Sequence, residues 1–351
     1  MNYIGSKYSL LDFIDHSIKS VVGADMSQLV FCDLFAGTGI VGRHFKTQVS
    51  QVISNDWEYY SYILNRNYIG NHLEIEGKEE YIEKLNQLDG IDNGFIYSQY
   101  CLGGGNNRQY FSDENGKKID AARVAIEEWK NSGEISDDLY YFLLCSLIES
   151  ADKYANTASV YGALLKTYLK RKQMKFQLVN FLKSLKKSAQ KPIVIAPATY
   201  QFNSHNHQVY REDANTLIRS ISGDILYLDP PYNARQYGAN YHLLNTIAEY
   251  KVFEPKGKTG LREYNKSDYC SKSVVRDSFE RLIADAKFKY IVLSYNNEGL
   301  MSIDTIRRIM SKYGRYQVFQ KEYSRFRADK AENRNHLADT TTEYLHALIK
   351  E

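Results

Sequence analysis

Residues 30–42 read VFCDLFAGTGIVG, and this stretch decides the fold. Its first six residues are apolar apart from Asp33, as expected for a buried strand. Three glycines then match the pattern G-x-G-x-x-G, which joins a strand to a helix beside a bound nucleotide. A second apolar strand leads to Asp56, which follows Gly37 by about 20 positions, where a ribose-binding acid is expected. The stretch therefore predicts a βαβ unit that binds a nucleotide-like cofactor.

Two kinds of cofactor are compatible with this glycine pattern. One is a nicotinamide or flavin dinucleotide, and the other is S-adenosylmethionine. A simple tight turn without a cofactor gives the same signature. The residues favour S-adenosylmethionine, because Asp33 can accept from an amino group, Phe35 offers an apolar wall, and Gly37 and Gly39 let the backbone approach a nucleoside. The N–H groups at the helix start suit a carboxylate. We expect S-adenosylmethionine, with Asp56 as a further contact.

A second motif, Asp229-Pro230-Pro231-Tyr232, follows the mostly apolar run 224–228. It suits a reaction in which an exocyclic aromatic amine attacks an electrophile. Such an amine is a poor nucleophile, because its lone pair is delocalised into the ring. The Asp229 carboxylate and the Pro230 carbonyl can accept its two N–H bonds and free the lone pair, and the fixed φ of proline holds that carbonyl. Tyr232 can stack on the base. The alternative is a plain Pro-Pro turn after a strand.

Strand signals end close to four aspartates. Candidate strands stop at or just before Asp33, Asp56, Asp213 and Asp229. Because strands and helices alternate around them, the sequence predicts a doubly wound, mostly parallel α/β sheet. Ligands in such sheets bind at the carboxyl ends of the strands, so we expect these acids to line one pocket.

Local patterns predict the remaining elements. Gly- and Asn-rich sequence predicts a loop at 90–116. Apolar residues at helical spacing predict helices at 7–20, 119–130, 136–153, 162–188, 274–286 and 302–312. Apolar runs predict strands at 192–196, 208–210, 225–228 and 290–295. The segments 316–323 and 343–349 predict a C-terminal antiparallel hairpin.

The same signals divide the chain into two parts. The α/β alternation stops after residue 70 and returns at 191. We therefore expect a catalytic domain formed by 1–70 and 191–351, interrupted by a mostly helical insertion, 71–190. The insertion is the candidate region for DNA recognition.

Positive charge is concentrated in one stretch of the insertion. The net charge of the chain is only +3, but residues 161–191 contain nine Lys and Arg and no Asp or Glu. Apolar residues recur at helical spacing between these charges, so the stretch predicts a one-sided basic helix that contacts phosphates, with Lys170, Arg171 and Lys172 at its centre. The alternative is an ordinary solvated helix face.

With both motifs placed, the chain resembles the N6-adenine amino-methyltransferases of DNA, specifically modification methylases of the FokI and NlaIII type. The segment YIGSK at 3–7 is similar to the family's N-terminal cofactor motif. The resemblance implies that Tyr3 and Lys7 approach the methionine part of the cofactor. It further implies that Asp56 holds the ribose hydroxyls and that Asp213 accepts the cofactor's adenine amino group.

The resemblance also implies contacts to DNA. The segment 107–111, with Arg108, and the segment 233–237, with Arg235 and Tyr237, look like this family. The implied enzyme has the class I S-adenosylmethionine-dependent methyltransferase fold. It methylates N6 of a flipped adenine in double-stranded DNA at a specific site, as the modification part of a restriction-modification system with a cognate endonuclease as a candidate partner.

Three alternatives stay open at the level of the sequence. Motifs like Asp-Pro-Pro-Tyr act on several planar amines, so the first alternative is an RNA or a protein-glutamine methyltransferase. A dinucleotide-dependent oxidoreductase is the second alternative. Only the glycine pattern supports it, and it gives Asp229 no role. A nonenzymatic DNA-binding module leaves the set of cofactor acids unexplained.

Composition sets outer limits on these readings. The chain has 351 residues, of which 43% are hydrophobic and 25% charged, as in an ordinary globular protein. Its four cysteines form no C-x-x-C pair, so neither a metal site nor a disulfide framework is predicted. We find no signal peptide and no apolar stretch of about 18 residues, and therefore expect a cytoplasmic protein without a membrane span.

Overall fold

The computed structural model describes residues 6–157, 160–162, 187–324 and 340–351. The chain divides into two compact units. The sheet unit comprises the described residues of Ile4–Leu73, Tyr200–Tyr237 and Asn265–Glu351. The helical unit comprises the described residues of Glu74–Thr199 and Gly238–Tyr264.

A single mixed sheet forms the centre of the sheet unit. In the described part of the chain its strands are β1 Val30–Asp33, β2 Gln51–Asn55, β3 Gln208–Tyr210, β4 Ser222–Leu228, β5 Lys287–Asn296, β6 Gly314–Ser324 and β7 Thr340–Lys350. Their order is β3-β2-β1-β4-β5-β7-β6. The five strands from β3 to β5 run parallel, and β7 runs antiparallel to both β5 and β6. The predicted mostly parallel sheet and its antiparallel C-terminal hairpin are confirmed.

Helices flank this sheet within the same unit. They span Leu11–Val22, Ile40–Phe45, Tyr59–Asn65, Ala214–Leu217, Val275–Asp285 and Ile303–Met310. Short turns of other helix types span Tyr8–Leu10, Arg66–Gly70 and Asp268–Cys270.

The helix Val275–Asp285 shows why these residues pack as they do. Val275, Phe279 and Leu282 recur three to four residues apart, so they share one face, and all three are buried against the sheet core. Parallel strands are covered on both faces, which is why the second half of β4 is apolar throughout.

The helical unit is built mainly from longer helices. They span Lys78–Gln87, Phe95–Tyr100, Asp113–Asn131, Asp137–Tyr154 and His242–Glu249. A further short helix spans Tyr237–Asn240, of which Gly238–Asn240 belong to the helical unit. The side chains of Ser112 and Ser136 accept from backbone N–H groups in the first turns of the two longest of these helices and so fix where they begin. No helix in the described ranges is both long and apolar enough to cross a membrane.

The predicted strand at 192–196 is wrong. This segment has no sheet partner, and its backbone N–H groups bind side chains instead: Ile193 donates to Asn115, and Ile195 to Asn86. Ala196 donates to Ser150. An apolar run therefore resembles a strand while its hydrogen bonds go to helix side chains.

The predicted loop at 90–116 is also partly wrong. It contains the helix Phe95–Tyr100, and the next helix begins at Asp113. The Asp120 carboxylate accepts from the backbone N–H groups of Ile96 and Tyr97, and so satisfies free donors at the helix start. The helix predicted at 162–188 lies almost wholly outside the described residues.

The segment Gly238–Tyr264 belongs to the helical unit, whereas the sequence division placed it in the catalytic domain. Its helix His242–Glu249 buries Leu243, Leu244 and Ile247. The buried guanidinium of Arg123 donates to the carbonyls of Ile247 and Ala248 near the end of that helix. A cation at this end also complements the helix dipole.

We expect Arg123→Met to lower the free energy of unfolding by about 2–3 kcal/mol, because it leaves the carbonyls of Ile247 and Ala248 buried without their charged donor. Urea unfolding followed by circular dichroism measures the loss. The control is Lys130→Met on the same helix, where a more exposed pair with Asp137 is lost at a cost of less than about 1 kcal/mol. Equal losses in the two variants would contradict the assignment.

Candidate active site

The carboxyl ends of β1 to β4 bring four acids to one edge of the sheet. Asp33 is the last residue of β1, Asp56 follows β2, Asp213 lies three positions beyond β3, and Asp229 follows β4. Because these strands are parallel neighbours, the acids lie at the same edge. We call this the carboxyl edge. It is where parallel sheets bind ligands.

The glycine loop, residues 36–39, is held in shape by acids and amides of the same unit. Asp56 Oδ2 accepts from the Gly37 N–H at 2.8 Å, and Asp56 Oδ1 accepts from the Glu58 N–H at 2.9 Å. Asn65 Nδ2 donates to the Gly37 carbonyl at 3.1 Å, and Ser54 Oγ donates to Asn65 Oδ1 at 2.7 Å. The loop is therefore fixed before any ligand arrives.

Asp33 is a buried carboxylate with one unused oxygen. Oδ2 accepts from the Gly42 N–H at 3.1 Å, while Oδ1 is buried without a hydrogen-bond partner in the described structure. Burial raises the pKa of Asp33 to about 8, and the nearby Asp229 charge adds to this effect. A donor placed at Oδ1 would satisfy this oxygen and favour the ionised form.

Burial also shifts the acid of the glycine loop. It raises the pKa of Asp56 to about 7, although the N–H groups of Glu58 and Gly37 act in the opposite direction. Both oxygens keep a lone pair that can accept from a ligand hydroxyl.

Asp229 is paired with a lysine near the start of the chain. Lys7 Nζ lies 3.1 Å from Asp229 Oδ1 and 2.9 Å from Glu343 Oε1. The hydroxyl of Ser294 donates to the same Glu343 oxygen. We call these four residues the Lys7 cluster. Burial opposes charge on the ammonium, but the carboxylates of Asp229 and Glu343 outweigh it and raise the pKa of Lys7.

Burial raises the pKa of Asp229 to about 6, with the Lys7 ammonium opposing the shift and Glu343 adding to it. The resemblance placed Lys7 at the methionine part of the cofactor, whereas the structure pairs its ammonium with two carboxylates. Its contact with the cofactor stays a prediction.

Two aromatic rings border the carboxyl edge. The half-buried ring of Tyr232 packs edge-on against Tyr295 with centroids 6.3 Å apart, and Lys7 Nζ lies 5.8 Å from the Tyr232 centroid. The ring of Phe35 packs edge-on against Tyr269 at 5.0 Å. Each ring is thus held in place by a second tyrosine.

Asp213 caps the helix Ala214–Leu217. Its Oδ1 accepts from the Thr216 N–H at 3.0 Å, and the residue is partly exposed. Arg235 is exposed and Tyr237 half-buried, and the Arg235 N–H donates to Asn233 Oδ1 at 2.9 Å. The roles predicted for these residues remain predictions.

Arg108 lies in the helical unit and is buried. Its guanidinium donates to the carbonyls of Gln99, Pro255 and Gly257. These bonds give Arg108 a structural role, which does not favour the predicted contact with DNA. Tyr3, Lys170, Arg171 and Lys172 lie outside the described residues.

Two residues of this site were not predicted from the sequence. Asn65 supports the glycine loop and Glu343 completes the Lys7 cluster. Glu343 left a signal, because it is an acid at the start of a mostly apolar stretch that was predicted to be a strand. No feature of the sequence distinguishes Asn65 from the other asparagines.

A mostly parallel sheet with a glycine loop, an acid after its second strand and a partly buried Asp-Pro-Pro-Tyr segment defines an amino-methyltransferase. Residues 3–309 match the D12 class N6 adenine-specific DNA methyltransferase family, and the chain belongs to it. It is an adenine-specific DNA methyltransferase by family.

Known relatives agree with this assignment over most of the chain. The chain is 61% identical to the Type II methyltransferase M.NlaIII of Neisseria lactamica, and the match covers all of this chain and 99% of that protein. It is 39% identical to the Type II methyltransferase M.FokI of Planomicrobium okeanokoites, covering 93% of this chain and half of that protein. It is 37% identical to the Type II methyltransferase M.CviAII of Paramecium bursaria Chlorella virus 1, covering 93% of each.

We expect Gly39→Ala to destabilise the protein more than Gly133→Ala, although φ is +75° at both glycines. The left-handed conformation alone costs about 1 kcal/mol at either position. At Gly39 the new Cβ would also lie 2.6 Å from Asn65 Oδ1, whereas at Gly133 nothing lies within 4 Å. The clash adds about 1–3 kcal/mol, because the buried amide of Asn65 is held by its own hydrogen bonds.

Thermal unfolding of the two variants measures this difference. Equal losses of stability would mean that Asn65 moves freely and does not shape the glycine loop.

Proposed function

We propose that this chain transfers a methyl group from S-adenosylmethionine to N6 of a specific adenine in double-stranded DNA. The supporting observation is that Asp229, Asp33 and Asp56 share one edge of the parallel sheet, beside the glycine loop. We further assign the sheet unit to the class I S-adenosylmethionine-dependent methyltransferase fold. Its relatives suggest that the chain is the modification part of a restriction-modification system, with a cognate endonuclease as partner.

The residues of the carboxyl edge fit S-adenosylmethionine. The unused Oδ1 of Asp33 can accept from its amino group, and Asp56 can accept from its ribose hydroxyls. Gly37 and Gly39 have positive φ and no Cβ, so the backbone can approach the nucleoside closely. Phe35 gives an apolar wall, and the second oxygen of Asp213 can accept from the cofactor's adenine amino group. When bound, this cofactor supplies a methyl group on a positively charged sulfur.

Asp229 and Pro230 prepare the amine that attacks this methyl group. The lone pair of N6 is delocalised into the adenine ring, which makes it a poor nucleophile. A carboxylate and a carbonyl that accept both N–H bonds draw the nitrogen toward tetrahedral geometry. Tyr232, whose ring is braced by Tyr295, can stack on the base.

The target adenine must leave the DNA helix for this contact, because its N6 lies within the base stack. Arg235 and Tyr237 follow the motif closely enough to support the extruded base or to fill the gap it leaves. Lys170, Arg171 and Lys172 remain candidates for contacts with phosphates.

Asp229→Ala is expected to reduce methylation by at least about 100-fold, because N6 loses the acceptor that frees its lone pair. Binding of S-adenosylmethionine should survive, since Asp33 and Asp56 are unchanged. Transfer of a radioactive methyl group to DNA, RNA and cell protein gives the rate and identifies the acceptor. Asp304→Ala is the control, because Asp304 is exposed on a surface helix.

Retained turnover in Asp229→Ala would refute the assigned role of Asp229. Labelling of RNA or protein in place of DNA would refute the substrate. Sequencing of methylated bases in cells that express the chain then gives the recognition site.

Asp56→Ala should weaken binding of S-adenosylmethionine by about ten- to a hundredfold, the range for a lost charged hydrogen bond. Both the ribose contact and the bond that holds Gly37 are removed. Isothermal titration calorimetry measures the affinity. Unchanged affinity, or binding of a nicotinamide dinucleotide instead, would contradict the cofactor assignment.

A further inference from the structure

The Lys7 cluster is larger than the reaction as proposed requires. Asp229 and the Pro230 carbonyl together can accept both N–H bonds of the target amine, yet Lys7 is bound to Asp229 and also to Glu343. The side chains of Lys7 and Glu343 are 5% and 1% exposed, and that of Asp229 is 19% exposed. Charged groups this deeply buried are costly, so the presence of the second carboxylate needs an explanation.

Stability alone does not explain Glu343. One of its oxygens, Oε1, accepts from Lys7 and from Ser294. The other, Oε2, is buried without a hydrogen-bond partner in the described structure. Its neighbours on β7, Leu345 and Ala347, are buried apolar residues. An apolar residue here, with an uncharged partner at residue 7, would avoid this cost.

The charges of the cluster suggest what Glu343 contributes. Lys7 and Asp229 together carry no net charge. Lys7 without Glu343 would therefore cancel the negative charge of the carboxylate that the amine needs. With Glu343 included, the cluster carries one negative charge, the same as a lone Asp229. Lys7 can therefore hold Asp229 Oδ1 in place without neutralising the site.

That negative charge matters because the reaction makes N6 positive. The N6 lone pair forms the new bond to carbon, and the electron pair of the carbon–sulfur bond stays on sulfur. Positive charge thus moves from sulfur to N6, which then loses one proton to the Asp229 carboxylate and on to water. A neutral site would stabilise the charged N6 less than a site with one negative charge.

We propose that Glu343 is a positioning residue for methyl transfer, which acts through Lys7 to hold Asp229 in place while the site keeps one negative charge. This inference rests on the proposed role of Asp229 as acceptor of the amine. Lys7 and Glu343 thereby act on the reaction of the N6 amine, in addition to any contact that Lys7 makes with the cofactor.

The test measures single-turnover methylation in the full-length chain. Glu343→Gln should lower the rate constant by about ten- to a hundredfold, the range for the loss of one unit charge several ångströms away at an effective dielectric constant of about 20. The KM values for S-adenosylmethionine and DNA should change less than about threefold, because no contact with either is removed. Glu322→Gln is the matched control, since Glu322 pairs with Thr342 on the same hairpin and is exposed.

The double variant Lys7→Met/Glu343→Gln decides between catalysis and structure. It removes one charge of each sign, so the site again carries one negative charge. We expect it to be faster than Glu343→Gln alone. If Glu343 served only structure, the second substitution would add damage, and the double variant would be slower.

The dependence on pH gives a second readout. Tyr227, Tyr232 and Asp33 face the same cluster and are kept unchanged. Methylation requires ionised Asp229, so the rate falls as pH drops through the pKa of about 6. Glu343→Gln removes a like charge, which lowers the pKa of Asp229 and moves this fall to lower pH. Lys7→Met removes a cation, which raises that pKa and moves the fall to higher pH.

Shifts in the same direction, or a double variant slower than Glu343→Gln, would overturn the inference. A raised KM for S-adenosylmethionine with an unchanged rate constant would overturn it as well and assign Lys7 to the cofactor. Circular dichroism confirms that each variant is folded. The double variant leaves one unpaired carboxylate, Asp229, where Lys7→Met leaves two, and so covers the case in which Lys7→Met fails to fold. Failure of the unaltered chain to methylate DNA would refute the proposed function itself. Full activity of Asp229→Ala would refute the assigned role of Asp229 and this inference with it, whereas inactive Asp229→Ala with fully active Glu343→Gln would refute only this inference.

Discussion

Parallel hydrogen bonding of β1 to both β2 and β4 is the constraint on which the site depends. It brings Asp33, Asp56 and Asp229 to one edge, although they are far apart in the sequence. A shift of register by one residue would turn each strand's side chains to the opposite face and separate these acids. The buried apolar residues of the strands fix the register, and the core thereby sets the geometry of the chemistry.

This arrangement places several carboxylates together in a buried region, which is unfavourable. The raised pKa values of Asp33 and Asp56 reflect that cost. Backbone N–H groups offset part of it, from Gly42 for Asp33 and from Gly37 for Asp56. Stability is thus given up locally at the carboxyl edge, as is common where a site must be ready for its ligand.

The sheet and the acids of its carboxyl edge could be predicted because their signals are local. A parallel strand covered on both faces reads as a continuous apolar run, and the residue after it lies at the edge that binds ligands. The segment 192–196 gave the same apolar signal, but its N–H groups bind Asn86, Asn115 and Ser150. Periodicity cannot show which partner takes a hydrogen bond. The contact between Lys7 and Glu343 was equally hidden, because these residues meet only after the chain has folded.

The Lys7 cluster also has a consequence for biosynthesis. Lys7 and Glu343 are separated by 336 positions, so all of the residues between them must leave the ribosome before they can meet. Until then Asp229 is the only carboxylate of the cluster that Lys7 can meet, and the cluster stays incomplete until β7 is made. A nascent chain that already contains both the glycine loop and the Asp-Pro-Pro-Tyr segment would therefore still lack its final charge balance, which ties the onset of activity to the synthesis of β7.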